Sequence, residues 1–243
     1  ELNDIRKRYA PQAKTLIDGA QSCPHQDNFF KIHNMKDIDY LAFSGHKCMS
    51  PAGTGALVVN ENSINDMKPF KGGGGMISGV HGDGFELNDI PQRFEAGTPN
   101  FAGIYAMGKA LELLKYQLLQ SSDFNFQEHL KKLTNKLFYR LKELEKAKKI
   151  RVLGEESNLQ SRCSIVSFVP LTIHPHDLAD HLNRQNICVR AGLHCTHPLH
   201  RFLNIKSSVR VSLYFYNTEE EIEYLAGCIN KSTNLKIVSK HQT

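Results

Sequence analysis

No run of about 18 consecutive apolar residues, the length a membrane-spanning helix needs, occurs in the 243 residues. A membrane partner is therefore not expected. An excess of one charge is also lacking. Twenty lysines and ten arginines stand against 25 acidic residues, for a net charge of +5. No tight basic stripe of the kind that phosphate-dense partners select is present, so no nucleic acid partner is expected. The six cysteines (Cys23, Cys48, Cys163, Cys188, Cys195 and Cys228) form no CxxC pair, and nothing marks a secretory context. Free thiols in a reducing compartment are expected rather than a disulfide framework. Internal repeats and low-complexity segments are missing too. The Gly72–Gly75 stretch lacks the Lys-Ser/Thr ending of a phosphate-binding loop and reads as a tight turn at a subunit contact. The chain opens at Glu1 in a helical pattern, without Met or a signal peptide, so a targeting segment is expected to be absent or removed.

What is present reads as an α/β protein. Leu2 to Pro11 has the pattern of a helix end. Thr15–Ile17, Ile38–Ser44 and Gly55–Asn60 are short, near-continuous apolar runs. Such runs predict strands buried on both faces, as in a mainly parallel sheet flanked by helices. Ala102–Leu118 has helical period, and Ser121–Asp123 breaks it. Asn125–Lys148 is a long amphipathic pattern with Leu130, Leu133, Leu137, Leu141 and Leu144 on one face. Its lysine-rich face is expected to be solvated. A domain boundary is placed near Ser121, giving domains 1–120 and 121–243. The second half alternates strand Ile165–Val169, helix His176–Arg184, strands Ile187–Arg190 and Ser208–Ser212, and helix Glu219–Ser232. It predicts a small α/β domain with a short sheet.

Two residues at predicted strand ends stand out. Asp18 and Lys47 fall at the carboxyl edge where α/β sheets bind ligands. Asp18 alone could be a turn former. A lysine near a sheet edge is harder to explain, because its charge costs energy unless something uses it. Pyridoxal 5'-phosphate (PLP) needs this pair: a lysine amine for its Schiff base and a carboxylate on its pyridinium nitrogen. Ser44 and His46 could hold its phosphate, and Gln21 its phenolic oxygen. Cys195 sits in a polar, loop-like sequence, GLHCTHP, which favours a reactive thiol. Arg190, His194 and His197 are its candidate activating neighbours. The other five cysteines are expected in the core. A zinc cluster of Cys188, His194, Cys195, His197 and His200 has suitable residue types but no known spacing.

The ordered motifs DGAQ (18–21), FSGHK (43–47), PAGTGAL (51–57), GGGGMI (72–77), RFEAGTPN (93–100), VRAGLHC (189–195) and VRVSLYFYNT (209–218) together resemble a SufS-type cysteine desulfurase. That group lies in the class V aminotransferase family of fold type I PLP enzymes. The resemblance runs from about Asp18 to Asn230 and rests at subfamily level on VRAGLHC and its short spacing to VRVSLYFYNT. It implies that 1–120 is the carboxyl-terminal half of a PLP-binding large domain and 121–243 a small domain carrying the catalytic cysteine loop. By the resemblance, Lys47 carries the cofactor, Asp18 pairs with the pyridine nitrogen and Gln21 meets the ring hydroxyl. Ser44 and His46 bind the phosphate, and Thr98 reaches the phosphate of the other subunit in a homodimer. Arg210 binds the substrate carboxylate, Arg190 lies beside the catalytic loop, and Cys195 is the nucleophile that becomes a persulfide.

The implied activity is conversion of L-cysteine to L-alanine, the persulfide sulfur passing to an acceptor protein of the SUF pathway for iron–sulfur cluster assembly. Selenocysteine lyase or a related class V PLP enzyme is the alternative, as is a non-catalytic dimerisation module derived from one. The resemblance places such a protein in the bacterial cytoplasm or a plastid-type organelle. It also implies that an amino-terminal half, with a ring-stacking histidine and a phosphate-gripping turn, is missing from this chain. The 243 residues alone are expected to bind PLP poorly.

Overall fold

The computed structural model describes residues 2–26, 38–120, 124–155, 157, 159 and 163–234. These form two compact units, Glu1–Asp123 and Phe124–Thr243. The predicted break at Ser121–Asp123 lies outside the described residues.

The first unit opens with helix α1 (Leu2–Tyr9) and is built on strands β1 (Leu16–Asp18), β2 (Tyr40–Ser44) and β3 (Gly55–Val59), in the order β1-β2-β3. Their start is pinned by Asp39, whose Oδ2 accepts a hydrogen bond from the Thr15 N–H at 2.8 Å. β1 and β2 run parallel with Asp18 opposite Ala42, whereas β2 and β3 are antiparallel with Ser44 opposite Gly55. Among the described strands this sheet is mixed, with one parallel and one antiparallel pairing. The short link through Pro51–Thr54 leaves no room for a crossover, so β3 must return antiparallel. The expectation of burial on both faces is corrected. Only alternate residues of β2 are buried, and Leu16 and Leu57 are 60% and 47% exposed.

A short helix α2 (Glu61–Ile64) follows, then a hairpin of β4 (Ile77–His81) and β5 (Gly84–Leu87). Sequence patterning did not separate this hairpin from loop. Helix α3 (Phe101–Lys115) is capped by Asn100, which accepts from the Gly103 N–H, and it continues into a π-helical turn at Tyr116–Gln120.

The second unit layers helices on one face of a four-stranded antiparallel sheet. Helix α4 (Phe126–Lys146) starts at the Asn125 cap and buries Leu130, Leu133, Leu137 and Leu141, while Leu144 is partly buried. The sheet contains β6 (Ile150–Leu153), β7 (Ile165–Pro170), β8 (Arg190–Gly192) and β9 (Ser208–Ser212), in the order β6-β7-β9-β8. Helix α5 (Pro175–Asn183) follows β7, α6 (His197–Phe202) follows β8, and α7 (Glu219–Ser232) closes the unit. A capping box at Thr218 and Glu221 starts α7.

Side chains alternate across a strand, so Val166, Phe168, Val209 and Val211 enter the helix-covered core, and Ser167, Ser208 and Arg210 take the opposite face. The predicted strand Ile187–Arg190 is corrected to Arg190–Gly192. The ladder begins where Arg190 meets Arg210, and Ile187 and Val189 instead pack against the core from outside it. No helix among the described residues is long and apolar enough to cross a membrane.

Candidate functional site

At the carboxyl ends of β1 and β2 the first unit gathers the predicted cofactor residues. Asp18 ends β1, and its Oδ1 accepts the Ala20 N–H at 3.0 Å. The chain then turns through exposed Gln21 into a 3₁₀ turn at Cys23–His25. Gly19 lies so close to Cys23, Leu41 and the Ala42 carbonyl that a Cβ would stand 2.5 Å from the Cys23 sulfur. β2 ends at Ser44, whose Oγ is 2.9 Å from His46 Nδ1. His46 and Lys47 sit in a 3₁₀ turn, Gly45–Cys48, which closes through the left-handed residue Met49. Lys47 is half-buried and makes no ion pair or hydrogen bond among the described residues. Behind this turn the Gly45 N–H donates to the Thr54 carbonyl at 2.9 Å, and a Cβ on Gly45 would stand 2.3 Å from Thr54 Oγ1. Thr54 and Ser50 therefore support the turn from behind. Sequence reading missed them, and Gly45 within SGHK was the available signal.

Thr98 is exposed in the loop before α3. Its preceding glycine, Gly97, donates to the Gly74 carbonyl at 2.8 Å, so the four-glycine loop backs this segment within the chain itself. Gly75 and Gly97 both have positive φ, 82° and 87°, a region that L side chains rarely occupy.

The second unit carries the thiol. β8 ends at Gly192, and the following loop bends through two consecutive non-glycine residues in the left-handed region, His194 at φ 51° and Cys195 at φ 60°. The bend turns exposed Cys195 back toward its own strand, and Arg190 Nη2 reaches the sulfur at 3.6 Å. Of the three expected neighbours, Arg190 makes this contact. His197 lies exposed at the start of α6. His194 instead bonds Ser208 Oγ through Nε2 at 3.1 Å, and His200 Nε2 meets the same hydroxyl at 3.0 Å. The bridging role of Ser208 and His200 was not read from sequence. The register predicts it only once Gly192 is known to pair with Ser208.

Arg210 sits across from both Ser167 and Arg190 in the sheet, so two guanidinium groups are direct cross-strand neighbours. Like charges so placed repel unless an anion joins them. Arg210 Nε is buried and has no hydrogen-bond partner among the described residues. Burial, reinforced by the Arg190 charge, pushes Arg210 below the usual arginine value. Burial likewise lowers His194, helped by the charges of Arg210 and then Arg190, against a backbone hydrogen bond with Ser208. His194, His200, Ser208 and Arg210 line a cavity of about 510 Å³ with Ile165 and Ser167. A guanidinium group lining such a cavity suits a planar carboxylate.

The remaining cysteines divide. Cys23, Cys48 and Cys228 are buried, and burial pushes Cys23 up to about 12 and Cys48 to about 11. Cys163 and Cys188 are exposed, correcting the expectation of a core position. Cys188 lies before the β8 ladder, which begins at Arg190. The zinc alternative finds no support in geometry. The Cys195 sulfur meets Arg190, and among the described residues no three His, Cys, Asp or Glu side chains gather as metal ligands.

Residues 1–225 match the aminotransferase class-V family. A probable cysteine desulfurase from Vibrio cholerae serotype O1 is 37% identical over 231 residues, which cover 95% of this chain and 54% of that protein. The apo structure of a cysteine desulfurase from Thermococcus onnurineus NA1 superposes with a TM-score of 0.82 at 34% identity, covering 96% of this chain and 55% of that one. The cysteine desulfurase CsdA from Escherichia coli follows at 0.78 and 28% identity, covering 96% and 55%. The chain thus spans about half the length of the curated relatives it matches. The match over 225 residues, on the fold of a fold type I PLP enzyme, shows that the chain belongs to the aminotransferase class-V family.

Proposed function

We propose that the complete protein carrying this chain is a PLP-dependent cysteine desulfurase of the SufS type. The observation that carries the reading is the second unit's thiol site: exposed Cys195 held at the Arg190 guanidinium, one strand from Arg210, whose Nε has no partner among the described residues. The relatives named as cysteine desulfurases support it.

The donor set at the β1–β2 edge fits PLP. A carboxylate, an amine without a partner among the described residues and a hydroxyl–imidazole pair lie at the ends of adjacent parallel strands. Asp18 would meet the pyridine nitrogen, Gln21 the ring hydroxyl, Ser44 and His46 the phosphate, and Lys47 would anchor the group. Exposed Thr98 would serve the partner subunit's cofactor in a homodimer. When bound, PLP supplies an electron sink for the pair released at the substrate α-carbon.

The chain's own residues do the rest. Arg210 clamps the carboxylate of L-cysteine with two parallel hydrogen bonds and so sets its orientation. Lys47 Nζ, as a free amine, accepts the α-proton. The Cys195 thiolate attacks the substrate sulfur, so an S–S bond forms as the substrate C–S bond breaks. The β-carbon takes up a proton and Lys47 Nζ returns one to the α-carbon, so L-cysteine plus the Cys195 thiol become L-alanine plus a Cys195 persulfide. Being exposed, that persulfide can pass its outer sulfur to an acceptor protein, in this reading one of the SUF pathway. The glycine-tight turn at Gly45 and the strained loop at Cys195 serve positioning.

The test incubates the complete, PLP-loaded protein with L-cysteine. Equimolar alanine and sulfur are expected, with a persulfide found on Cys195 by mass spectrometry. In Cys195→Ala, PLP absorbance should persist while turnover falls at least a hundredfold. Turnover unchanged in that variant would exclude Cys195 as the nucleophile.

A further inference from the structure

We propose that Ser208 is a positioning residue for Cys195: its hydroxyl bridges His194 and His200 and thereby locks the left-handed His194–Cys195 pair with the thiol at Arg190. The use of that thiol rests on the desulfurase reading, whereas the lock rests on hydrogen bonds alone.

The proton count fixes how the bridge is wired. The Thr196 hydroxyl donates to the Leu193 carbonyl at 2.9 Å, since a carbonyl only accepts. His200 Nδ1 lies 3.1 Å from both Thr196 Oγ1 and the Thr196 carbonyl. Both contacts require a proton on His200 Nδ1. In the neutral ring Nε2 is then an acceptor, and it takes the single Ser208 hydroxyl proton. Ser208 Oγ, having given its proton to His200, accepts from His194 Nε2–H. His194 therefore carries its proton on Nε2, and its buried Nδ1, which has no hydrogen-bond partner among the described residues, is a lone pair rather than an orphan N–H. This wiring needs His194 neutral. Burial and the two nearby guanidinium groups favour that form.

The lock has work to do. Two consecutive non-glycine residues in the left-handed region are disfavoured by Cβ–carbonyl contacts and persist only when the surroundings hold them. Ser208 is 1% exposed and pairs with Gly192, the last residue before the loop. His200 is 4% exposed in the last turn of the helix that follows the loop. The bridge thus ties both ends of the bend to β9. Gly192 at φ 119° lets the chain enter it.

The test measures iodoacetamide alkylation of Cys195 in the complete protein without PLP. The Cys195 peptide is followed by mass spectrometry, because Cys163 and Cys188 are exposed as well. Ser208→Ala should slow alkylation about fivefold. Ser208→Thr should stay within twofold of the wild type, and Ser208→Val, of the same shape without the hydroxyl, should match Ser208→Ala. This pair decides the matter even where Ser208→Ala loosens the strand. In a double-mutant cycle with Arg190→Ala, the combined variant should be no slower than the slower single one, since both remove the same sulfur–guanidinium contact. Equal rates in Thr and Val, or effects that multiply with Arg190→Ala, overturn the proposal. Cysteine turnover is assayed separately. A wild-type protein that fails to turn over cysteine would sink the desulfurase reading, while the alkylation pattern still decides the role of Ser208.

Discussion

Arg210 and Gly45 show how much single residues contribute to the two candidate sites. Arg210 offers a fork that matches a carboxylate, and a lysine in its place offers one point charge. Charge-assisted hydrogen bonds are worth about 1.5–3 kcal/mol each, so losing one should cost roughly 10- to 100-fold. Arg210→Lys in the complete protein is expected to raise KM for L-cysteine by about that factor with a smaller change in kcat, as steady-state kinetics would show. A KM unchanged by that substitution would remove Arg210 from the carboxylate site. Gly45 packs against Thr54 and Met107, with 2.3 Å between a Cβ and Thr54 Oγ1. Overpacking of this kind costs about 1–3 kcal/mol. Gly45→Ala should therefore displace the turn that carries His46 and Lys47 and weaken PLP binding, read as a higher cofactor concentration for half-maximal absorbance.

Helices α4 and α7 carry much of the second unit. Leu137 of α4 is fully buried against the sheet. Leu137→Ala leaves a cavity there and should destabilise the unit by about 2–5 kcal/mol, seen as a lower urea midpoint. The two helices are also joined by charge. Glu219, in the first turn of α7, pairs with Lys132 at 2.6 Å and Lys136 at 2.9 Å, which pull its carboxyl down to about 2. A carboxyl that is more acidic folded than unfolded stabilises above its ordinary pKa near 4.5, and that contribution disappears as pH falls toward 2. Glu219→Gln should accordingly lower the melting temperature slightly at pH 7, with the difference vanishing near pH 2. These groups are exposed, so the pH 7 effect should shrink in high salt.

Across the whole chain the proposed functions divide between the two units. Asp18, Gln21, Ser44, His46, Lys47 and Thr98 belong to Glu1–Asp123, and Arg190, Cys195 and Arg210 to Phe124–Thr243. Each unit holds its own residues through local contacts. Lys47→Ala should abolish the absorbance of lysine-bound cofactor, yet leave iodoacetamide alkylation of Cys195 within twofold of the wild type in PLP-free protein. A large change in alkylation would show that the lysine turn bears on the thiol site.

Much of this was legible without coordinates. The apolar runs, the strand-end Asp18 and Lys47, and the heptad-like leucines of Asn125–Lys148 follow from local composition and period, which act over a few residues. The ordered motifs carried the family and placed Cys195 and Arg210 on the list of candidates. Pairing across the sheet was not legible. Hydrogen-bond register joins residues that local period does not pair, so only the tertiary structure moved the β8 ladder to Arg190–Gly192 and set Arg190 beside Arg210. The same register brought Ser208 under the Cys195 loop, where one hydroxyl contacts two histidines. Residue types determined which chemistry was available to this chain. The long-range pairing of β8 with β9 decided which side chains can hold the thiol in place for it.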